Sequence, residues 1–276
     1  MGVNGTQLPA RIRTTLSGTG NPALFFVHGF ACDGTDWRVQ ADLFAATNTV
    51  ITCDLPGHGE STVAATEYTI ASCGAAVVSA LAELAIPPAV LVGHSMGCRV
   101  VLEAARQRPE VVAGLVLLDG SRIAEGDPVA ASSAMADELD GAGYQRFVRA
   151  FFGSMFVPAS DPAMVSAITE RALRVSPEIG RALMADVAGW DAGEAVGALD
   201  TVRVPLLAIQ STTMDAARQR VSLQPETTSP WLDLIRAHVP TAIIARLFGT
   251  GHFPQLERAD EVAALIAAFL GRKRIQ

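Results

Sequence analysis

Hydrophobic positions along the chain fall into two patterns: short unbroken apolar runs, and longer stretches whose apolar residues recur at helical spacing. Ala23 to Val27, Ala89 to Val92, Leu115 to Leu118 and Val204 to Ile209 are runs of strand length, as parallel strands covered on both faces require. Thr49 to Cys53 and Ala242 to Phe248 read as further strands, and Arg11 to Leu16 as an early one. Helices are predicted between them. One starts near Asp36, with Trp37, Leu43 and Phe44 as packing residues, and another spans Ile70 to Leu84 before Pro87 and Pro88. Cys98 to Arg106, Ser229 to Ala237 and Asp260 to Leu270 complete the set.

Strands alternating with helices predict an α/β fold with a mostly parallel sheet, in which functional groups gather beyond the carboxyl ends of the strands. The rhythm stops at Ser121. Helical stretches broken by Gly and Pro run from there to about Ala198 and carry Phe147, Phe151, Phe152, Met155, Phe156, Met164, Met184 and Trp190. The expected organisation is a core of residues 1–120 and 199–276 with an inserted helical lid, 121–198. Most of the lid's aromatic and Met content is ordinary packing, while Phe151, Phe152, Met155, Phe156 or Trp190 are candidates to line an apolar pocket.

Composition narrows the function. A net charge of −7 leaves no basic stripe for a phosphate backbone, so nucleic acid is not an expected partner. No apolar run approaches the roughly 20 residues of a membrane span, and the N-terminus lacks a signal-peptide pattern, so a cytoplasmic protein, monomer or homodimer, is expected. Met1 to Thr6 fits a loose myristoylation pattern and contains a glycosylation sequon, neither with supporting context. Cys32, Cys53, Cys73 and Cys98 show no metal-site spacing and are expected as buried thiols. No cofactor and no metal are called for.

The chemistry centres on Gly93-His94-Ser95-Met96-Gly97, placed where a strand turns into a helix. Glycines two positions either side relieve the crowding of so sharp a turn, leaving the serine hydroxyl exposed and the Met96 N–H unpaired at a helix start. A serine needs a base. Of five histidines, His94 belongs to the turn, His28 to the loop opposite, His58 to a Pro/Gly turn and His238 to a surface helix; His252 follows the last strand and is the candidate. The imidazole needs a carboxylate. Asp119 ends a strand directly and is preferred over Asp215, which depends on the irregular loop Gln210 to Asp215.

With His28-Gly29-Phe30, Asp54-Leu55-Pro56-Gly57-His58-Gly59, Gly93-His94-Ser95-Met96-Gly97 and Gly251-His252-Phe253-Pro254 in this order, the chain resembles the α/β-hydrolase superfamily, in its lid-bearing branch of esterases. The resemblance implies Ser95 as nucleophile, His252 as base and the Phe30 and Met96 N–H groups as oxyanion hole. Most relatives carry the acid after the strand matching Val204 to Ile209, in a Gly-x-x-Asp; here Ser211 replaces the glycine and Asp215 is shifted. A subset carries it one strand earlier, at Asp119. The expected activity is cofactor-free hydrolysis of small, largely apolar carboxylic esters through an acyl-enzyme. Carbon–carbon hydrolysis, lactone opening, acyl transfer and cofactor-free dioxygenation are alternatives on the same fold, and a ligand-sensing receptor-like protein is one from another class. Dehalogenase and epoxide hydrolase chemistry is set aside, because resembling enzymes use aspartate where Ser95 stands.

Overall fold

A computed structural model describes residues 12–61, 67–215 and 219–272. Arg11 and the Met1 to Thr6 patterns lie outside them. In chain order, β1 (Arg13–Ser17) and β2 (Leu24–Val27) lead through a 3-10 turn, Gly34–Trp37, into α1 (Arg38–Phe44). β3 (Val50–Asp54), α2 (Ile70–Glu83), β4 (Ala89–His94), α3 (Met96–Gln107) and β5 (Val112–Leu118) follow. Five helices come next: α4 (Pro128–Ala142), α5 (Tyr144–Gly153), α6 (Pro162–Ala172), α7 (Pro177–Gly193) and α8 (Ala195–Asp200). The chain then adds β6 (Leu206–Gln210), β7 (Thr212–Met214), β8 (Arg220–Ser222), α9 (Pro230–His238), β9 (Ile243–Arg246), α10 (Pro254–Glu257) and α11 (Ala259–Leu270).

Among the described residues seven strands form one sheet in the order β1-β3-β2-β4-β5-β6-β9, parallel except for the antiparallel pair β1 and β3. The unbroken apolar runs follow from this. Phe25, Val27, Leu91, Leu115, Leu117 and Ala208 face a core shared with α2, α3, α8 and α9, whereas Leu24, Phe26, Val90, Val92, Val116, Leu118, Leu207 and Ile209 face α1 and α11. Alternate residues fill opposite cores, so neither parity can be polar. The strands β2, β4, β5 and β6 thus end rigidly, and their carboxyl ends carry the loops of interest.

Three expectations change. Leu43 is 49% exposed while Trp37 and Phe44 are buried, because α1 turns one narrow stripe to the sheet and Leu43 lies off it. The loop from Gln210 to Asp215 is not irregular: Thr212–Met214 pairs antiparallel with Arg220–Ser222, as the β-branched Thr212, Thr213 and Val221 favour. The helices between β5 and β6 end at Asp200, so the 198/199 boundary cuts α8.

Candidate active site

The corner between β4 and α3 holds Ser95 at φ 54° and ψ −114°, a conformation a non-glycine residue adopts only when its surroundings force it. Its neighbours explain the glycines. A Cβ on Gly93 would strike the Gly97 carbonyl, and one on Gly97 would stand 2.6 Å from the Val27 carbonyl oxygen. Ser95 N–H donates to the Leu118 carbonyl at 3.0 Å, which fixes the turn to the end of β5.

Ser95, His252 and Asp119 come together from three separate elements. Ser95 Oγ lies 2.8 Å from His252 Nε2, and His252 Nδ1 lies 2.6 Å from Asp119 Oδ2. Both histidine and aspartate are buried. The partners assign the tautomer: Nδ1–H donates to the carboxylate and Nε2 accepts from the serine hydroxyl. Burial, and after it the positive charge of Arg220, pushes the His252 imidazole down from 6.5 to about 4, so it is neutral and able to accept a proton. Burial alone would raise Asp119. The hydrogen bond and charge of His252, together with Arg220 and Thr212, hold it below the ordinary carboxylate value.

The hairpin supplies most of what holds Asp119. Its Oδ1 accepts from Ser211 N–H at 2.6 Å and Thr212 N–H at 2.8 Å, and its Oδ2 from the Thr212 hydroxyl at 2.6 Å. Asp215 is elsewhere. It is exposed at the hairpin turn, where its N–H donates to the Gln219 carbonyl at 2.9 Å and its Oδ1 accepts from Gln219 N–H at 2.8 Å. Thr212, Ser211 and Arg220 carried no signal in the sequence beyond a Thr-rich stretch, since their roles arise from pairing with a strand eight residues on.

The other buried histidines hold the loop carrying Phe30. Leu55 N–H donates to His28 Nε2 at 2.9 Å and Ala31 N–H to His58 Nε2 at 3.1 Å, so the two rings tie that loop to the turn after β3. Gly29 packs on the serine: a Cβ there would lie 3.2 Å from Ser95 Cβ. His94 Nε2–H donates to the His252 carbonyl at 2.7 Å. Met96 begins α3, and its N–H opens the helix. His238 sits on the surface against Asp200.

The helices between β5 and β6 reach this centre directly. His252 N–H donates to the Met155 carbonyl at 2.8 Å. Arg99 of α3 pairs bidentately with buried Asp191 of α7, at 2.7 and 2.6 Å, and donates to the Ser121 carbonyl. Removing either partner would leave the other charge buried and unpaired, at about 3–5 kcal/mol. Phe151 meets Phe30 edge-on at 6.3 Å and Phe156 stacks on Phe253 at 5.2 Å, whereas Trp190 turns its Nε1–H to Glu103 behind α3. A separate cleft of about 620 Å³ runs beside β1 and α6, with Arg13, Asp54, Glu60 and Arg171 in its walls; it contains none of Ser95, His252 or Asp119. Among the described residues no three His, Cys, Asp or Glu side chains converge to hold a metal ion, and no helix is long and apolar enough to cross a membrane. The four cysteines are buried and free.

A family model described as the alpha/beta hydrolase family matches residues 24–265. The chain belongs to this family. A relative from Pseudomonas putida, the dihydrolipoyllysine-residue acetyltransferase component of an acetoin cleaving system, is 32% identical over 267 residues, covering 92% of this chain and 65% of the relative. The chain therefore spans just under two thirds of that relative's length. Among solved structures, an N-acyl homoserine lactone degrading enzyme is 26% identical with a TM-score of 0.74, covering 94% of this chain and 96% of the other. A thermophilic esterase from Thermogutta terrifontis shares the fold, with a TM-score of 0.78 at 22% identity, covering 96% of this chain and 94% of the esterase.

Proposed function

We propose that this hydrolase cleaves carboxylic esters of small, largely apolar acids, with Ser95 as nucleophile, His252 as general base and acid, and Asp119 as the supporting carboxylate. The observation that carries this reading is the unbroken hydrogen-bonded chain from Ser95 Oγ through His252 to Asp119. Ser95 Oγ attacks the ester carbonyl carbon as its proton passes to His252 Nε2. The new imidazolium faces Asp119, which stabilises it without taking the proton. The carbonyl oxygen becomes an oxyanion held by the N–H groups of Phe30 and Met96. Collapse breaks the bond to the alcohol oxygen, which leaves with the proton from Nε2. Water then repeats the sequence on the acyl-enzyme, freeing the acid and restoring Ser95.

Apolar substrates are favoured by the aromatic groups around the centre, Phe30 with Phe151 and Phe253 with Phe156. The helical insertion serves as the roof of that pocket. Lactone opening is a second reading, favoured by the likeness along 94% of the chain to the lactone-degrading enzyme. It uses the same steps, except that the leaving alcohol remains tethered to the acyl group.

The test is turnover of p-nitrophenyl esters of graded acyl length, and of an N-acyl lactone, by wild type, Ser95→Ala, Asp119→Asn and Asp215→Asn. Retained turnover in Ser95→Ala removes the nucleophile. A severe loss confined to Asp215→Asn moves the acid. Indifference to acyl length removes the apolar pocket.

A further inference from the structure

Arg220, the first residue of β8, brings a charge into the interior, its side chain only 9% exposed. Its Nη1 donates to Thr212 Oγ1 at 2.8 Å, the Thr212 hydroxyl donates to Asp119 Oδ2 at 2.6 Å, and Nη1 itself stands 3.8 Å from that oxygen. The direction is fixed. A guanidinium has no lone pair to offer, so the one hydroxyl proton of Thr212 is left for the carboxylate. The same Oδ2 receives His252 Nδ1–H. Arg220, Thr212, Asp119, His252 and Ser95 therefore form one hydrogen-bonded series, with a permanent cation at its far end.

A neutral amide could orient Thr212 without the several kcal/mol of desolvation that a buried cation brings. The charge itself calls for a role. From α3, Arg99 also faces this centre, but Asp191 of α7 pairs with it in direct contact. Glu257 of α10 is turned to the Gly251 N–H and the Ser160 hydroxyl, and His94 of β4 donates to the His252 carbonyl. Arg220 differs from Arg99: among the described residues, the carboxylate within ion-pair reach of Arg220 is Asp119.

We propose that Arg220 is a positioning residue acting through Thr212 and Asp119, whose charge disfavours imidazolium at His252 and so extends turnover into more acidic solution. This rests on the reading of Ser95, His252 and Asp119 as a triad. A cation close to an imidazole opposes its protonation, and Arg220 stands after burial among the causes that hold His252 neutral. The arrangement is a trade. The same charge opposes the imidazolium formed during attack, so a wider acid range comes with a weaker base.

The experiment is the pH profile of kcat/KM for a p-nitrophenyl ester, by pH-stat, for wild type, Arg220→Lys, Arg220→Gln and Arg220→Met. Loss of the charge raises the acid limb by about one pH unit in the Gln and Met variants, roughly a tenfold loss of kcat/KM below both limbs. Arg220→Lys keeps the limb in place. An unmoved limb in the neutral variants overturns the proposal, and so does an equal movement in Arg220→Lys, which would make shape rather than charge the cause. Should Arg220→Met fail to fold, Arg220→Gln, which still donates to Thr212, gives the same answer. Ser95→Ala, measured alongside, separates the two readings: retained turnover there removes the triad, while lost turnover with an unmoved limb in the neutral variants removes only the role of Arg220.

Discussion

Asp119 lies directly after β5 and Asp215 in the hairpin that follows β6, the adjacent strand, yet one is fully buried with four hydrogen bonds to its carboxylate and the other is exposed. The difference shows how two neighbouring loops have divided one task. The segment after β6 does not bring an acid to His252; it brings two backbone N–H groups and a hydroxyl to the acid that β5 delivers. Strand order made either aspartate a candidate. Burial and donors separate them, because a carboxylate can stay ionised in the interior only where donors replace its water.

The sharpest way to break the comparison is to neutralise each acid in turn. Asp119→Asn is expected to lower kcat about 10⁴-fold, the scale on which a wrong histidine tautomer acts. A loss of that size confined to Asp215→Asn would reverse the assignment. Thr212→Val removes one donor to Asp119 while keeping the shape, and kcat/KM should fall about tenfold to a hundredfold, as for a hydrogen bond of about 1.5–3 kcal/mol to a charged group. An unchanged kcat/KM would mean the hairpin contributes nothing to the acid.

Acid should also distinguish the buried centre from the exposed turn. Burial pushes His28 and His252 down from 6.5 to about 4, and His58 and His94 to about 3. An unfolded chain takes up these protons as pH falls below 6.5, whereas the native protein refuses them until much lower, so stability is complete above that point and is lost on the way down. Asp119, held below its ordinary value, adds a loss of the same sign further into acid. The melting temperature should therefore decline as pH falls from 6.5 toward 4, and a flat calorimetric profile over that window would contradict the buried neutral histidines. Smallest of all is the effect of Asp215→Asn, expected to change kcat less than twofold and stability by less than about 0.5 kcal/mol in denaturant titration.

Much of this was legible in the chain. The apolar runs located β2, β4 and β6 within a residue or two and β5 within three, because strands buried on both faces cannot hide their composition, and the glycines around Ser95 marked the corner that folds there. The 3-residue strands of the hairpin escaped because they are too short for a periodic pattern to emerge. Arg220 was illegible for another reason: its meaning lies in a contact with Asp119 more than 100 positions earlier, which no local window contains. Leu43 misled because an apolar residue on a short helix carries no mark of which way it points.

The bond from His252 N–H to the Met155 carbonyl bears on how specificity in this chain can be altered. Because the insertion holds the backbone of the histidine itself, it is not a cassette to be exchanged whole for another enzyme's. A graft would have to present a carbonyl at the place of Met155 and an acid at the place of Asp191 before its own pocket mattered. On the proposed ester-cleaving reading, new substrate preferences are more accessible through point changes in α5 and the segment after it than through transplantation.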